Sequence, residues 1–311
     1  MEKRVEITVP SDAAKMRLED FLLDHFSSLS KMYLRDLVKT ARCEVNGRHE
    51  NIGYKLRADD FIEITVDHAR GTAMRPENIP LDIIHEDSDI IVVNKPHDML
   101  AHPSHRENSG TLLNALVHHV RTACVSGRSV SLGVKLQSNR PPTYAGGSDN
   151  IIRPGLIHRL DKQTSGLMVV AKNARAHRIL SGHFMRKRVE KRYLALVEGI
   201  IKTDEGTIDA PIGRYAELKH WSVKSDGKHS TSRYSVKKRF TDTTLIELEP
   251  ITGRTNQLRI HCEHIGHPIV GDTRRGGREF SRLCLHAYKL AFPHPSTNEM
   301  VKFETDRFIF L

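Results

Sequence analysis

The sequence predicts an α+β fold built around a mixed β-sheet. Segments of strand character recur along the chain, whereas helices are few and do not alternate regularly with them, a pattern typical of α+β rather than doubly wound α/β proteins. A length of 311 residues suggests about two domains, and 38% hydrophobic residues are enough for a packed core. No internal repeat or long low-complexity tract interrupts the chain.

The first predicted elements are two short amphipathic helices. Leu18, Phe21 and Leu22 have the spacing of one helical face, and the apolar residues between Tyr33 and Val38 indicate a second helix. Ser30 is the expected N-cap of that second helix, because its hydroxyl can accept a free backbone N–H of the first turn.

A turn and a strand complete this N-terminal part. Asn46-Gly47 favours a tight type I′ turn, since both residues tolerate positive φ, and residues 62–66 alternate between apolar and polar as a half-buried strand does. Together with the two helices they predict a small α/β module within residues 1–68, with its core at 14–67.

A second domain is expected at 81–311, after a polar linker at 69–80 that carries glycine and proline. Residues 89–96, with the apolar run IIVV, indicate a buried strand that proline ends, and residues 167–170 indicate another. The segment 121–152 has little periodicity and many turn formers, which predicts a mobile insertion.

Further elements follow in the last part of the chain. Residues 174–191 have helical periodicity, and residues 193–199 and 245–249 have that of strands. A last helix is predicted from Thr255 to Ile265, with Thr255 as the N-cap and Gly266 as the stop.

The charge balance favours a polyanionic partner such as nucleic acid. The chain has 48 basic and 38 acidic residues, a net charge of +10 and a pI near 9.5. The strongest local basic patch runs from Lys172 to Arg192, with eight basic residues and one acidic residue. Four basic residues would form one stripe on the second N-terminal helix, either a footprint for phosphate or a solvated helix face: Lys31, Arg35, Lys39 and Arg42.

The compartment expected from the sequence is the reduced cytoplasm. The N-terminus lacks the apolar run of a signal peptide, and no stretch of about 18 apolar residues occurs that could cross a membrane. The four cysteines are scattered and include no CxxC pair, which indicates neither a disulfide framework nor a cysteine zinc site.

The most informative segment is Ile157 to Gly166, IHRLDKQTSG, which places Asp161 between Arg159 and Lys162 just before a predicted core strand. Asp and Ser are common in turns, and the flanking cations can be solvated counter-charges, so the segment alone permits a purely structural interpretation. The alternative is that Asp161 is a nucleophile.

Four segments together resemble the RluA-type family of pseudouridine synthases: IIVVNKPHDMLAHP (90–103), GLIHRLDKQTSGLMVVAK (155–172), KRYLALVEG (191–199) and TGRTNQLRIHCEHIGHPIVGD (252–272). The N-terminal module resembles the RNA-binding module named after ribosomal protein S-four, in which two helices and a turn of the "VNG" kind present basic residues to RNA. The resemblance covers most of the chain.

The resemblance implies both a fold and an activity. The catalytic domain is expected to contain a largely antiparallel mixed sheet of pseudouridine synthase type. Such an enzyme isomerises uridine in RNA by breaking the N-glycosidic bond, rotating the uracil and rejoining it through carbon five, with no cofactor or metal. The module at the N-terminus implies structured RNA as the partner, with ribosomal RNA of the large subunit favoured over tRNA, and we expect a monomer.

The same resemblance assigns the site residues. Asp161 is the expected nucleophile, and because burial raises the pKa of a carboxyl group, a fixed cation is needed, worth on the order of 4 kcal/mol at about 4 Å and an effective dielectric of 20. Arg259 is the first candidate for that cation and Arg254 the second; either could instead bind phosphate. Tyr193 is expected to stack on the target uracil and is a candidate general base at carbon five.

A uridine stacked in RNA must flip out to reach a buried carboxylate, at a cost of a few kcal/mol. Arg159 is expected to fill the space that the base leaves. The remaining residues assigned to substrate binding are His158, which we expect to support the loop, together with Arg254, Gln257, Lys31, Arg35, Lys39 and Asn46.

Asn256 departs from the family pattern, which more often has His there; both side chains can hydrogen-bond. A zinc hydrolase is one alternative, since His261, His264 and His267 are ligand types, but their spacing lacks the HExxH pattern. A non-catalytic RNA-binding or ribosome-assembly protein is another. The presence of Asp161 with Tyr193 and Arg259 argues against it, because binding alone needs no enclosed carboxylate.

Overall fold

A computed structural model of the chain describes residues 2–26, 29, 31–67, 75–104, 107–125, 154–215 and 220–305. The chain divides into two compact units. The first comprises Met1–Asn78, Pro103–Ser109 and Asn114–Ile152, and the second comprises Ile79–His102, Gly110–Leu113 and Arg153–Leu311. No helix in the described ranges is both long and apolar enough to span a bilayer.

The first unit contains a three-stranded antiparallel sheet in the order β1-β3-β2 and two α-helices. Its elements are β1 (Glu2–Thr8), a short 3₁₀ helix (Ser11–Ala13), α1 (Leu18–His25), α2 (Lys31–Lys39), β2 (Cys43–Val45) and β3 (Phe61–Asp67). The two predicted helices and the strand are confirmed. Strand β1, which pairs along its whole length with β3, was not predicted, because its outward-facing residues are mostly charged.

The apolar faces of these elements form one core, with Leu18, Leu22, Leu34 and Ile62 almost completely buried. Burial of each such side chain contributes about 1.5–3 kcal/mol, which offsets the low helix-forming tendency of segments this short.

Two local predictions for this unit have clear outcomes. Asn46 and Gly47 both have positive φ, 51° and 72°, and Val45 and Arg48 exchange backbone hydrogen bonds across them, which confirms the tight turn. Arg42, however, does not lie on the helix with the other three basic residues. Helix α2 ends at Lys39, and Ala41 has a φ of 56° that takes the chain out of the helical direction. Ser30, the expected N-cap, lies outside the described residues.

The second unit is built on a ten-stranded sheet, with eight strands in the order β4-β5-β7-β14-β8-β13-β12-β9; β6 pairs with β7, and β15 with β14. The strands are β4 (Ile83–Glu86), β5 (Ile90–Lys95), β6 (Gly155–Leu156), β7 (Ser165–Ala171), β8 (Glu190–Glu198), β9 (Glu205–Asp209), β12 (Thr231–Arg239), β13 (Thr243–Pro250), β14 (Leu285–Pro293) and β15 (Met300–Glu304). A separate hairpin comprises β10 (Ile212–Tyr215) and β11 (His220–Val223).

Among the described strands, only β7 and β14 pair in parallel; the other pairings are antiparallel, so the expected largely antiparallel α+β fold is confirmed. Helix α3 (Leu112–Val125) follows β5 in the chain, and most of it belongs to the first unit. In the second unit α4 (Ala174–Met185) follows β7, and α5 (Gln257–His264) follows β13. The buried residues of β5, β7, α4 and β14, such as Val92, Val169, Leu180 and Phe292, form a core of this unit.

Three expectations for residues 81–311 need correction or restriction. Helix α4 ends at Met185 and not at Lys191, because Lys187 has a φ of 55° and the chain then enters β8. Helix α5 begins at Gln257 with Asn256 as its N-cap, so the N-cap is not Thr255; Gly266, with a φ of 79°, ends it as predicted. Within the expected insertion, residues 121–125 belong to α3, and residues 126–152 lie outside the described residues.

Candidate active site

Asp161 lies in the loop that leads into β7, as predicted. Its backbone carbonyl accepts a hydrogen bond from the Thr164 N–H at 3.1 Å, which closes a turn, and every residue of the following strand is buried. Gly166 has a φ of 123°, and a Cβ atom there would lie 2.3 Å from the Ala287 carbonyl oxygen of β14. Only glycine therefore fits where β7 and β14 meet in parallel, and that close approach fixes the loop that carries Asp161.

A cavity of about 560 Å³ opens beside this loop. Its walls come from the Asp161 loop, the end of α4, β8, and the segment that joins β13 to α5. It brings together all seven predicted site residues of the second unit: His158, Arg159, Asp161, Tyr193, Arg254, Gln257 and Arg259. Residues far apart in the sequence, such as His158 and Arg259, thus line the same cavity.

The Asp161 carboxylate is half-buried, and burial raises its pKa above the ordinary value. Arg259 opposes this rise most strongly, followed by Arg159, Lys95 and Arg275. Within the described part of the chain, no ion pair within 4.0 Å joins a cation to this carboxylate. The anion is therefore stabilised by several cations at a distance and keeps its oxygens free for another partner.

Arg259 is the strongest of these cations, yet its direct partner is Asp272. Its Nε and Nη2 donate to Asp272 Oδ2 and Oδ1 at 2.6 and 2.7 Å, and both side chains are buried, with 9% and 2% exposed. Such a two-pronged pair fixes the guanidinium plane. Asp272 was not predicted as a site residue, although it is the last residue of the segment 252–272 that carries the resemblance.

Tyr193 lies in the middle of the sheet on β8, opposite Leu248 of β13 and Ala287 of β14. Only 9% of the residue is exposed, but it lines the cavity. Burial, and secondarily the negative charge of Asp161, raise the pKa of its phenol. The side chain is therefore a protonated phenol at neutral pH, with an aromatic ring at the cavity wall.

His158 contacts β7 and α4. Its Nε2 accepts a hydrogen bond from the Val169 N–H at 3.1 Å, and its ring stacks on Phe184 with centroids 4.7 Å apart. Burial, together with the nearby charge of Lys191, lowers the pKa of His158 to about 3. The ring is neutral at physiological pH, as an acceptor of a backbone N–H must be.

Gln257 uses its whole amide group to build the wall. Its Oε1 accepts from Thr252 Oγ1 and the Arg254 N–H at 2.8 and 3.0 Å, while its Nε2 donates to the Thr231 carbonyl and Ser232 Oγ at 2.9 and 3.0 Å. The side chain is 4% exposed. It therefore organises the segment before α5, which holds the exposed Arg254 at the cavity rim.

Asn256, the departure from the family pattern, has a φ of 54°. Asn adopts this left-handed conformation more readily than most non-glycine residues. Its side chain makes no capping hydrogen bond, and the residue lines the cavity beside Arg254. The position therefore demands a particular backbone turn, which Asn can make.

Lys95 is a site residue that the sequence analysis missed. It is completely buried at the end of β5, and its Nζ donates to the carbonyls of Pro96, Met99 and Lys162 at 2.8, 2.9 and 3.2 Å. Burial lowers its pKa to about 7, and the Asp161 charge partly opposes this. By holding the carbonyl next to Asp161, Lys95 ties the loop to β5; the signal was a lysine ending an apolar run before proline.

The predicted RNA-binding residues of the first unit differ in their contacts. Arg35 donates to both carboxylate oxygens of Glu19, at 2.6 and 3.2 Å, whereas Lys39 is exposed. Asn46 uses its amide within the turn, donating to Asp60 Oδ1 and accepting from the Phe61 N–H. Lys31 begins helix α2, and its side chain lies outside the described residues.

The histidines that suggested a zinc site contact different partners in the structure. His261 contacts Ser232 Oγ and the Ala210 carbonyl at 2.9 and 3.1 Å, and His267 Nδ1 contacts the Glu198 carbonyl at 2.7 Å. In the ranges that the structure describes, no three His, Cys, Asp or Glu residues are grouped so that they could hold a metal ion.

Comparison with known proteins identifies the family of this site. The family model described as RNA pseudouridylate synthase matches residues 89–264, which include the cavity loop, α4, β8 and all of α5. The chain is 37% identical over 305 residues to "Uncharacterized RNA pseudouridine synthase YlyB" of Bacillus subtilis, covering 97% of this chain and 93% of that protein.

Two further proteins agree with this match. The chain is 34% identical to "Ribosomal large subunit pseudouridine synthase D" of Pasteurella multocida, covering 92% of this chain and 86% of that one. The solved structure of "Human RNA Pseudouridylate Synthase Domain Containing 1" aligns with a TM-score of 0.55 at 29% identity, covering 76% of this chain and 85% of that one. The chain therefore belongs to the RNA pseudouridylate synthase family, as its RluA-type motifs indicate, and is an RNA pseudouridine synthase.

Proposed function

We propose that this enzyme converts specific uridines of large-subunit ribosomal RNA to pseudouridine, with Asp161 as the nucleophile. The observation that carries the nucleophile assignment is the half-buried carboxylate with free oxygens, surrounded by cations and sharing a cavity with Tyr193. The choice of RNA is supported by the relative that is named a ribosomal large subunit pseudouridine synthase and matches 92% of this chain.

The reaction requires an ionised Asp161. The carboxylate attacks the flipped nucleotide, at carbon six of the ring or at the sugar carbon, and forms a covalent bond with it. The bond from the sugar to N1 breaks, a bond from the sugar to carbon five forms, and the bond to Asp161 then breaks, which restores the free carboxylate. Carbon five then loses its proton and N1 gains one, so that the atoms balance and no oxidant, metal or cofactor is consumed. Arg259, Arg159, Lys95 and Arg275 all favour the anion that starts this sequence.

Tyr193 would stack on the uracil. Its ring offers a flat apolar surface that holds a rotating base without fixing one orientation. The raised pKa of the phenol makes a phenolate scarce at neutral pH, which disfavours Tyr193 as the base that removes the proton from carbon five. Stacking is therefore the role that its surroundings support better.

Arg159 and Arg254 would contact RNA outside the reacting base. Both are exposed at the cavity, and neither forms an ion pair with a carboxylate among the described residues. Arg159 would occupy the stack that the flipped uridine leaves, because its planar guanidinium can stack on bases and bind phosphate. Arg254 would bind phosphate, while His158 and Gln257 would hold the walls.

Residues 1–68 would act as an RNA-binding module of the ribosomal protein S-four type and residues 81–311 as the catalytic domain, with 69–80 as the linker. The support for the module is its pair of helices, its Asn46-Gly47 turn and the exposed Lys39. Among its predicted contacts, Lys31, Arg35 and Lys39 would bind phosphate, and Asn46 would shape the turn.

We also propose that the enzyme works as a monomer in the cytoplasm; the free thiols of Cys43, Cys262 and Cys284 are compatible with that compartment.

A transcriptome-wide pseudouridine map of cells with and without the protein tests the proposed substrate. We expect the loss of one or a few pseudouridines from large-subunit ribosomal RNA. Sites lost from tRNA alone would correct the substrate and keep the chemistry. If no pseudouridine were lost anywhere, a protein that only binds RNA would be favoured.

A further inference from the structure

Met185 is the most exposed of the large hydrophobic residues in the described part of the chain, with 82% of its surface accessible. The next is Met300, at 64%. A methionine left in water forgoes the favourable free energy that burial of its side chain would provide. Isolated exposed apolar residues are common and need no explanation on their own, but the position of Met185 is particular, because it lies on the wall of the cavity that contains Asp161 and Tyr193.

The local structure holds Met185 at this rim. It is the last residue of α4, and its neighbour Phe184 packs inward against the core and stacks on His158. The backbone then turns sharply at Lys187, whose N–H donates to the Phe184 carbonyl at 3.2 Å and whose φ is 55°. Met185 therefore lies at the outer corner of a fixed turn, where the helix geometry keeps its side chain out of the core.

Three cations directly follow this apolar side chain in the sequence, and one of them, Lys187, also lines the cavity. Arg186, Lys187 and Arg188 are all exposed, and none forms a side-chain ion pair within 4.0 Å in the described ranges. A rim with one apolar side chain among unpaired cations matches a ligand that has both apolar faces and negative charges. A nucleotide in single-stranded conformation has this chemistry, since its base offers a flat face and its phosphate a charge.

We propose that the rim formed by Met185, Arg186, Lys187 and Arg188 is a subsite for the nucleotide next to the target uridine, with Met185 against its base and the cations near its phosphates. The proposal rests on the RNA pseudouridine synthase function of the cavity. When the target uridine enters the cavity, its neighbour loses a stacking partner, and Met185 at the cavity wall replaces part of that contact. Because every base has an apolar face, the subsite would contribute affinity with little base preference.

The test compares Met185→Ala with Met300→Ala, a matched control that removes an exposed methionine of β15 away from the cavity lining. The probe is an unmodified transcript of large-subunit ribosomal RNA labelled with tritium at carbon five of uridine, which releases tritium when pseudouridine forms. We expect Met185→Ala to raise KM about fivefold with kcat within about twofold, since ~1 kcal/mol of contact is lost in binding. Met300→Ala should match the wild type.

Salt dependence separates the apolar contact from the charges. Met185→Ala should leave the slope of log KM against log salt unchanged, whereas Lys187→Asn, which tolerates the positive φ, should reduce it by about one. Equal KM values for Met185→Ala and Met300→Ala would overturn the subsite. If the wild type released no tritium, the proposed ribosomal RNA substrate would be wrong, independently of the subsite. The subsite would then be tested by the affinities of Met185→Ala and Met300→Ala for the same transcript, and equal affinities would overturn it.

Discussion

The sequence identifies the basic residues of the first unit as readily as those around the cavity, but their partners in the structure differ. In the first unit Arg4, Arg35 and Arg42 are each paired with a glutamate of the same unit: Glu63, Glu19 and Glu2. Around the cavity, Arg159, Arg254 and Lys187 are exposed and have no carboxylate partner among the described residues.

This difference shows that residue spacing in the sequence identifies the basic side chains, but not which of them lack a carboxylate partner in the folded protein. A paired arginine must leave its carboxylate before it can bind phosphate, and that carboxylate then repels the phosphate. A cation without a carboxylate partner has no ion pair to break before it binds phosphate, and no neighbouring carboxylate then repels that phosphate. RNA binding should therefore depend more strongly on the rim of the cavity than the basic stripe of the first unit suggests.

The largest effect should come from Asp161→Asn, which removes the nucleophile and keeps the shape of the cavity. We expect turnover to fall by at least about 10⁴-fold while RNA affinity is retained, in tritium-release and filter-binding assays. Glu19→Gln, which alters a paired carboxylate of the first unit, is the control and should retain its turnover. Appreciable turnover by Asp161→Asn would remove the nucleophile assignment.

The same variant has a predicted pH signature in stability. Burial raises the pKa of Asp161 in the folded protein, so its contribution to stability is full below the unfolded pKa and is lost as pH rises through the folded pKa. Asp161→Asn should therefore melt at a higher temperature than the wild type at neutral pH, and the difference should vanish as pH falls below the ordinary carboxyl pKa. A lower melting temperature at neutral pH would contradict this account of the site.

The second largest effect is expected for Arg259, the cavity arginine that pairs with Asp272. Arg259→Gln should reduce kcat by about 10²–10³-fold and shift the acid limb of the pH profile to higher pH, because the cation that most lowers the Asp161 pKa is lost. Removing one partner of a buried pair also costs about 3–5 kcal/mol of stability. The double variant with Asp272→Asn removes the unpaired buried charge and should recover stability, while the acid limb stays shifted.

A smaller effect on affinity sharpens the comparison between the two units. Arg159→Ala at the cavity should weaken binding to the ribosomal RNA transcript about tenfold, whereas Arg42→Ala in the first unit should weaken it by less, because Arg42 is already paired with Glu2 at 2.6 Å. Affinities measured at two salt concentrations would decide this. An equal loss for both variants would mean that pairing in the free protein does not predict the contribution to RNA binding.

The smallest effects are expected within α2 itself. Lys39→Ala removes an exposed cation that has no carboxylate partner among the described residues, and it should lower the slope of log affinity against log salt by about one. Arg35→Ala should change it by less, since Glu19 already neutralises that charge. If neither variant changed the slope, the proposed RNA-binding role of the N-terminal module would lose its main support.

Part of the fold could be predicted from local patterns, and part could not. Strands β5 and β7 each contain a continuous apolar run, at residues 90–93 and 167–171, and were predicted, since few other structures can bury such runs. Strand β12, TSRYSVKKR, is largely polar and was missed; its strand conformation comes from pairing with β13 and β9 on either side. The end of α4 was misplaced because residues 186–191 retain helical composition, while a positive φ at Lys187 redirects the chain.

The sequence by itself indicated the family, the activity and seven of the residues that line the cavity, because the motifs carry those residue types in fixed order. Only the tertiary structure decided which groups each charged side chain contacts and which side chains are left exposed. Arg259 pairs with Asp272, Lys95 is enclosed by three carbonyls, and Met185 is left at an exposed rim. The physical reason is that Coulomb and hydrogen-bond energies depend on distances between residues far apart in the chain, and those distances exist only after folding.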